Sequence, residues 1–405
     1  MPPRLRATGG EVRGVRMIRD QQRLDQAIAI VRDVVRNSWQ PLEPEIDRAG
    51  ALPDSVVQEM RSRGLFAFGV PEEYGGWGMT CEELAHINME VSQCSLSFRT
   101  RLSNNIGIGV VPFAVEGTAE QKRHYLPKIA SGEVIPAFAV SELDIGGSQA
   151  TKMRTRAVRD GNGWVLNGAK CYVSLAPVAD VILMYARTED DAGGLGGITT
   201  FLLKPGMEGL EIGKPYRKMG QHGMPMSEVH VRNCRVPADA MLGNEPGHGF
   251  ESLMRGFLFQ RINLSGLSVG PAMRMVELAL DFARGERNGR APIGSHQLVQ
   301  AMLAECQVDI HAARALLLET ARKYDAGEDV TMAASISKYF ATEMVCRVAD
   351  RVVQIFGARG YIADYSGAEL LYRDVRGGRM AEGTSQIHLL TIAREMLQAK
   401  GRKGN

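Results

Sequence analysis

The sequence lacks the residue patterns that mark disulfide-linked, metal-binding and membrane-spanning proteins. Its six cysteines contain no C-x-x-C pair and its eight histidines no H-x-x-x-H pair, so neither a disulfide framework nor a zinc site is expected. No apolar run reaches the ~18 residues of a membrane span, and the first residues lack the apolar centre of a signal peptide. We therefore predict a cytoplasmic protein without a metal ion.

The sequence also has no large excess of basic over acidic residues, or of acidic over basic ones. The 48 basic residues are interspersed with 46 acidic ones, which leaves a formal net charge of +2 and indicates neither a nucleic-acid nor a membrane surface. A small molecule is the better expectation for the partner. The length of 405 residues exceeds what one hydrophobic core usually organises, and this predicts two or three domains.

What the sequence does contain is a change of hydrophobic period along the chain. Residues 1–16 are rich in Arg, Gly and Pro, which predicts a disordered extension. Apolar residues recur at helical spacing over 17–133 and return to long helical patterns over 248–405. Over 134–247 they alternate as in strands, first around a predicted D-G-N-G turn. The order is therefore α, β, α, and the seams between such domains are where ligand sites form most readily.

One acidic residue draws attention in the stretch R-M-A-E-G-T-S-Q-I-H-L-L, which runs from Arg379 to Leu390. Thr384 and Ser385 are good N-caps for the helix that follows, so Glu382 can be interpreted simply as an exposed residue before the cap. Alternatively, apolar walls around Glu382 would raise its pKa toward neutrality, as a general base acting on a weak carbon acid requires. The residues alone leave both interpretations open.

Two further motifs lie in the β segment. F-A-V-S-E-L-D-I-G-G-S-Q, from Phe138 to Gln149, leaves a strand for a loop whose glycines let backbone N–H groups approach an anion or a polar ring edge. An ordinary turn is the alternative. K-C-Y-V-S places Tyr172 and Ser174 on one face of a strand, as an aromatic platform beside a hydroxyl donor, although strand alternation often pairs such residues by chance.

Six motifs in the same order resemble the acyl-CoA dehydrogenase family from about Met17 to Lys400. They are G-V-P-E-E-Y-G-G, K-M-G-Q-H-G-M-P, R-V-P-A-D-A-M-L-G, Q-I-F-G-A-R-G-Y, Y-R-D and E-G-T-S-Q-I. The resemblance implies an α+β fold with an N-terminal α-helical domain, a middle β-barrel or sandwich domain and a C-terminal four-helix-bundle domain. It also implies that FAD lies between the β domain and the bundle.

By this resemblance, Glu382 removes the α-proton of an acyl-CoA thioester while the β-hydrogen leaves as hydride to flavin N5. The thioester oxygen would accept hydrogen bonds from the backbone N–H of Glu382 and from a flavin hydroxyl. Electrons would pass to an electron-transfer flavoprotein, and site contacts shared between subunits imply a homo-oligomer, commonly a tetramer. An oxidase, a reductase, a carrier-protein-bound substrate and a non-catalytic helical scaffold are the alternatives.

The resemblance also assigns the other site residues. Those expected to contact FAD are Phe138, Val140, Ser141, Ser148, Tyr172, Val173, Ser174, Arg287, Gln297, Gln354, Gly357, Thr384, Ser385 and Gln386. Those expected to contact the substrate are Ser148, Arg261 and Gly383. Tyr172 stands where the family usually has tryptophan, and Ser174 where it usually has threonine.

The sequence departs from the family pattern at three places. Leu143 replaces a proline in a loop that has one extra residue. E-R-N-G-R replaces R-x-Q-F-G, which leaves Arg287 or Arg290 as the phosphate ligand, and Leu258 replaces an aspartate that often contacts the carrier arm. The last departure keeps both CoA and a carrier protein open as the thioester carrier.

The stretch F-R-T-R-L-S-N-N-I-G-I-G, which starts at Phe98, is expected to line the acyl slot by the same resemblance. Its Arg99, Arg101, Asn104 and Asn105 indicate a polar or carboxylated acyl group. The alternative is that the two arginines are solvated or paired at a domain seam.

Overall fold

The computed structural model describes residues 18–145, 152–188, 197–289 and 291–399. The extension predicted over residues 1–16 lies outside these ranges. The first part of the chain is helical, with a π-helical turn at Val35–Trp39 between its first two helices. Its α-helices are α1 (Gln21–Val34), α2 (Gln40–Ala49), α3 (Asp54–Ser62), α4 (Cys81–Val91), α5 (Leu96–Ile106), α6 (Val111–Glu116) and α7 (Ala119–Ser131).

Two of these helices begin at reciprocal side-chain caps. The side chains of Thr80 before α4 and Thr118 before α7 each accept a hydrogen bond from the backbone N–H three residues later. In turn, the backbone N–H of Thr80 donates to Glu83 Oε2 and that of Thr118 donates to Gln121 Oε1. Helix α7 then ends at Gly132, whose left-handed backbone (φ 74°) suits a residue without a Cβ. The chain leaves the helical part at this glycine and enters the sheet.

Within the described residues, the middle of the chain forms one seven-stranded sheet. Its strands are β1 (Pro136–Ala139), β2 (Arg156–Asp160), β3 (Gly163–Ser174), β4 (Val181–Arg187), β5 (Ile198–Leu203), β6 (Leu210–Ile212) and β7 (Met226–Val236). They pair in the order β1-β4-β2-β3-β7-β6, with β5 on β4. The predicted D-G-N-G turn joins β2 and β3 as an antiparallel hairpin. Trp164 and Phe201 meet edge to face at 5.5 Å in the core of the sheet.

The last part of the chain returns to long helices. They are α8 (Gly249–Gly285), α9 (Gln297–Asp325), α10 (Thr331–Phe356), α11 (Ala358–Tyr361), α12 (Ala363–Ser366), α13 (Ala368–Val375) and α14 (Ser385–Ala399). A short hairpin of β8 (Arg287–Asn288) and β9 (Ala291–Pro292) joins α8 to α9. Helices α8, α9 and α10 pack against one another around one apolar core, and α14 packs on α10.

Asp374 ties the three parts of the chain together. Its buried carboxylate accepts hydrogen bonds from Ser95 Oγ at 2.6 Å and from Leu96 N at 2.9 Å, at the start of α5. It also accepts from the backbone N–H of Gln221, in the turn K-M-G-Q-H-G-M-P. Two of the motifs that carry the family resemblance therefore meet at a structural joint, and this joint fixes α5 against the sheet and the last helices.

The fold class predicted from the sequence is confirmed, because helical first and last parts flank a curled β-sheet. We retain the division into 17–133, 134–247 and 248–405 as a proposal for the domain boundaries. Across the described ranges, none of the helices combines the length and the apolar character that a membrane crossing requires.

Candidate active site

Glu382 lies in a short loop between the 3₁₀ turn Arg376–Arg379 and α14. Its backbone is left-handed (φ 54°), as is that of Gly383 (φ 98°). Glycine adopts this conformation freely whereas glutamate rarely does, so backbone strain is concentrated at Glu382. Thr384 then caps α14, because its Oγ1 accepts a hydrogen bond from Ile387 N at 3.3 Å.

The Glu382 carboxyl group is buried, although other parts of the residue reach solvent. Its Oε2 has no solvent contact and no hydrogen-bond partner among the described residues. Burial raises the pKa of Glu382 to about 7, and attraction to three cations, Arg261, Lys338 and Arg99, opposes the shift. Glu382 is therefore not simply an exposed residue in front of a helix cap. Its carboxyl group can gain and lose a proton near neutral pH.

Two of these cations hold the loop by its backbone. Lys338 Nζ, on α10, donates to Gly383 O at 2.7 Å, and Arg261 Nε, on α8, donates to Glu382 O at 3.4 Å. Burial lowers the pKa of both side chains, that of Lys338 to about 8, while the charge of Glu382 raises them. Of the predicted substrate residues, Gly383 is therefore part of the loop that carries Glu382, and Arg261 is hydrogen-bonded to that loop.

The backbone N–H of Glu382 makes no hydrogen bond within the described part of the chain. Met380 N and Ala381 N, by contrast, both donate to Gly377 O, at 3.0 and 3.1 Å. Unpaired backbone N–H groups are rare in protein interiors. An oxygen atom of a bound molecule would satisfy this one, beside the carboxyl group of the same residue.

His388 packs against the loop from the first turn of α14. Its side chain is fully buried, and neither ring nitrogen makes a hydrogen bond of good geometry to any described residue. Burial and the nearby charges of Lys338 and Arg261 lower its pKa to about 3, although backbone groups of Glu382 and Gly383 offset part of this shift. The imidazole is therefore neutral at physiological pH and supports the loop by packing.

The two predicted motifs of the β segment are adjacent in the structure. Ser141 O accepts from Cys171 N at 2.8 Å, and the buried Lys170 Nζ donates to Val140 O and Glu142 Oε1, each at 3.0 Å. Burial lowers the pKa of Lys170 to about 8 although Glu142 raises it. These bonds hold the segment that begins at Phe138 beside the end of β3.

Tyr172 projects outward from a bulge in β3. The pairing of β3 with β7 shifts register between Lys170 and Val173, and Tyr172 has a left-handed backbone (φ 57°). Its side chain is 59% exposed, with the ring of Tyr216 at 5.9 Å. The Val173 side chain is buried in the sheet core, so only its backbone can face a ligand, whereas Ser174 is half-buried. An exposed aromatic face held in a strained conformation fits the stacking of a flat ring.

The predicted cofactor residues at the start of α14 differ in their exposure to solvent. Thr384 and Gln386 are exposed, whereas Ser385 Oγ donates to Glu343 Oε1 at 2.6 Å and is committed to that contact. Three other predicted contacts, Ser148, Arg290 and the side chain of Arg287, lie outside the described residues.

Three of the residues predicted to contact FAD lie at the ends of long helices of the last part of the chain. They are Gln297 at the start of α9, with Gln354 and Gly357 at the end of α10. Gln354 follows Lys338 by sixteen residues, which at ~1.5 Å per residue is about 24 Å along α10. One chain therefore does not bring Gln354 and Gly357 next to the Glu382 loop.

The asparagines of α5 have structural partners. Asn104 Nδ2 donates to Pro136 O at 2.7 Å, and Asn105 Nδ2 donates to Ile129 O at 3.0 Å and to Val134 O at 2.9 Å. Both side chains brace the entry into β1. The amide nitrogens of both side chains are therefore engaged by backbone carbonyls, whereas Asn105 Oδ1 is buried without a partner among the described residues.

Sequence reasoning missed three basic side chains, Lys170, Lys338 and His388. Each is fully buried, and Lys338 and His388 interrupt apolar helical stretches, A-A-S-I-S-K-Y-F-A and Q-I-H-L-L. A basic residue at a core position of a hydrophobic pattern is a usable signal, because such a charge is retained only when something pairs with it. Among the described residues, no group of three His, Cys, Asp or Glu side chains is placed to hold a metal ion.

Comparison with known families covers most of the chain. The models of the acyl-CoA dehydrogenase N-terminal, middle and C-terminal domains match residues 21–133, 137–234 and 247–397. A 3-(aryl)acrylate reductase of Clostridium sporogenes is 35% identical over 91% of this chain and 97% of its own length.

Solved structures share the fold over nearly their whole length. Butyryl-CoA dehydrogenase from Megasphaera elsdenii is 26% identical, with a TM-score of 0.88 over 96% of this chain and 100% of that chain. A chain from the structure reported for the electron transferring flavoprotein of Acidaminococcus fermentans is 29% identical, with a TM-score of 0.87 over 96% of this chain and 100% of that chain.

Proposed function

Because this chain belongs to the acyl-CoA dehydrogenase family of FAD-dependent oxidoreductases, we propose that it removes hydrogens from the α and β carbons of an acyl thioester. The observation that carries this proposal is the buried Glu382 carboxyl group, which has an unpartnered oxygen and a pKa of about 7. Glu382 would act as the base that takes the α-proton.

The surroundings of Glu382 support this role. An α-proton is weakly acidic, so negative charge that develops on the thioester oxygen needs a donor. The free N–H of Glu382 would supply one, while Lys338 and Arg261 hold the loop through the carbonyls of Gly383 and Glu382. The two cations also favour the ionised carboxylate in an environment that otherwise opposes it.

The described residues fit FAD at the end of β3. Tyr172 offers an exposed aromatic face, and Ser174 beside it offers a hydroxyl group. FAD, when bound, supplies the acceptor for the hydride that leaves the β-carbon. We propose that the residues lining it are Phe138, Val140, Ser141, Ser148, Tyr172, Ser174, Thr384 and Gln386, together with the backbones of Val173 and Ser385. Gln297, Gln354, Gly357 and Arg287 would reach a cofactor bound mainly by a neighbouring subunit.

This last assignment implies an oligomer, and we propose a homotetramer. Helix α14 leaves several large apolar side chains exposed, as a subunit interface requires, namely Leu389, Leu390, Met396 and Leu397. We further propose that an electron-transfer flavoprotein accepts the electrons, which the similarity to the Acidaminococcus fermentans chain supports. Cytoplasmic location stays a prediction from cysteine usage.

The proposed function is tested by anaerobic titration of the FAD-loaded protein with short, branched, aromatic and dicarboxylic acyl-CoAs. Bleaching of the visible flavin band by one of them supports dehydrogenation and identifies the substrate class. Protein that binds FAD but is bleached by none of these, nor by the same acyl groups on a carrier protein, contradicts it. Protein that never takes up FAD favours the scaffold alternative.

Reduction of an α,β-unsaturated acyl group is the second candidate, because the Clostridium sporogenes relative is described as a reductase. A pKa of about 7 lets Glu382 donate as well as accept a proton near neutral pH. The direction is decided by offering the protein reduced dye with an enoyl thioester and oxidised dye with the saturated one. The faster of the two turnovers identifies the reaction.

The rate of dehydrogenation should fall as the pH is lowered through about 7. Burial raises the pKa of Glu382 to about 7, so the base is increasingly protonated below that pH and unable to accept the α-proton. We expect kcat/KM to fall roughly tenfold per pH unit on the acid side and to level off above pH 7. A profile that stays flat down to pH 5 would contradict the assignment of Glu382.

Lys338→Met should shift the acid limb of the profile, which is the pH range over which kcat/KM falls, to higher pH. The positive charge of Lys338 opposes the rise in the pKa of Glu382, so its removal leaves a weaker acid that stays protonated to higher pH. The profile is measured from pH 5 to 9 beside Lys323→Met, whose exposed lysine pairs with Glu319 on the surface of α9. An unchanged limb in Lys338→Met would mean that Lys338 acts only through its bond to Gly383.

A further inference from the structure

Arg99 is a buried arginine whose Nε has no hydrogen-bond partner among the described residues. Only 6% of the residue is exposed, and it forms no ion pair with any residue that the structure describes. Burial lowers the pKa of Arg99 to about 9, and the negative charge of Glu382 opposes that shift. Arginine is rarely buried unless it is paired, because an uncompensated charge away from water is costly.

Helix α5 holds Arg99 in a fixed place. The start of the helix is bound to Asp374, and its end is bound through Asn104 and Asn105 to the entry into β1. If α5 shifted to bring the charge of Arg99 into contact with water, the hydrogen bonds at both ends of the helix would break. The arginine is therefore presented by a rigid element, as binding residues usually are.

Arg99 and Arg101 face opposite sides of α5. Residues two apart on a helix are separated by about 200°, so their side chains do not share a face. The charges that act on Arg101 are those of Asp180, Asp54 and Arg61, whereas the carboxylate that acts on Arg99 is Glu382. Arg99 thus belongs to the Glu382 side of the helix. Arg101 Nε is also buried without a partner among the described residues, so Arg101 is the matched control for the loss of a buried arginine on the other side.

The Glu382 site carries more positive than negative charge. Three cations act on Glu382, and two of them, Arg261 and Lys338, also donate to backbone carbonyls of the loop. The other carboxylate that acts on Lys338 is Glu343, which is already paired with Arg379 at 2.7 Å. Arg99 has no such second partner within the described residues. One further anion at Arg99 would balance the site without competing for the contacts that hold Glu382.

We propose that Arg99 binds a carboxylate carried by the acyl group, so that the substrate is a dicarboxylic acyl thioester. This inference rests on the proposed function. A guanidinium group offers two parallel N–H donors that match the two oxygens of a carboxylate. Since Glu382 acts at the carbon next to the thioester, the second carboxylate lies at the opposite end of the acyl chain. A neutral acyl group of the same length would leave Arg99 unpaired.

Binding is measured in the FAD-loaded Glu382→Gln protein, so that no turnover interferes. The probes are matched in length: glutaryl-CoA with valeryl-CoA, and adipyl-CoA with hexanoyl-CoA. Dissociation constants come from calorimetry and from the shift of the flavin band. A buried charge-assisted pair predicts roughly 10- to 100-fold tighter binding of at least one dicarboxylic member than of its neutral counterpart.

Three variants in the same background assign that preference to Arg99. Arg99→Gln should reduce the ratio of the two dissociation constants to near one, Arg99→Lys should keep part of it, and Arg101→Gln should leave it unchanged. FAD content and melting temperature are recorded for each variant. If Arg99→Gln does not fold, the ratio in the parent protein and in Arg99→Lys still tests the preference.

The proposal is overturned if both neutral members bind as tightly as their dicarboxylic counterparts. It is also overturned if Arg99→Gln weakens both members of a pair equally or releases FAD, since Arg99 would then position Glu382 or the cofactor. These outcomes are separate from a failure of the proposed function. In that case no thioester, charged or neutral, would bleach the flavin of the protein that retains Glu382.

Discussion

Glu382→Gln is expected to abolish dehydrogenation while the protein keeps its FAD. The amide has the size of the carboxyl group but cannot accept the α-proton, and a positioned base contributes roughly 10²- to 10⁴-fold to such a reaction. The substitution removes a charge whose oxygen has no partner among the described residues, so no hydrogen bond of that oxygen is lost. Loss of turnover of at least that size should therefore come without loss of the fold.

Three measurements separate the chemistry from binding. The visible spectrum reports bound FAD, dye reduction reports turnover, and exchange of the α-proton in deuterated water reports proton removal by itself. Glu277→Gln, which replaces an exposed glutamate on α8, is the matched control and should behave as the parent protein does. Turnover or exchange that survives in Glu382→Gln would show that another group is the base.

Asp374→Ala should destabilise the protein more than the loss of any exposed carboxylate. The buried carboxylate of Asp374 accepts from Ser95 Oγ, Leu96 N and Gln221 N, and the substitution leaves all three donors unpaired. Removing one partner of a buried charged network costs about 3 to 5 kcal/mol. Because the joint links α5 to the last helices, we expect the loss of helical structure and the release of FAD to occur in the same unfolding transition.

The comparison is made by thermal unfolding of the FAD-loaded protein, followed by flavin fluorescence and by circular dichroism. The melting temperature of Asp374→Ala should lie several degrees below that of the parent. Asp350→Ala, which removes an exposed carboxylate from α10, should leave it within a degree or so. Equal melting temperatures in the two variants would mean that the joint does not limit stability.

Local patterns predicted the regular elements well because each depends on residues close in sequence. The D-G-N-G turn specified the β2–β3 hairpin, and Thr384 specified the start of α14. The bulge at Tyr172 and the left-handed backbone at Glu382 were not predicted. Both conformations are unfavourable for their residues and persist only because tertiary contacts, such as the bond from Lys338 to Gly383, hold the chain there.

The sequence by itself determined the α, β, α order, the family and the identity of the candidate base, because periodicity and ordered motifs are legible along one dimension. Only the tertiary structure decided what surrounds that base. Arg99, Arg261 and Lys338 come from three different helices, and Arg99 precedes Glu382 by more than half of the chain. The pKa of Glu382 depends on its burial and on these three charges. Both result from packing between residues that are far apart in the sequence, and no local pattern in the sequence predicts such contacts.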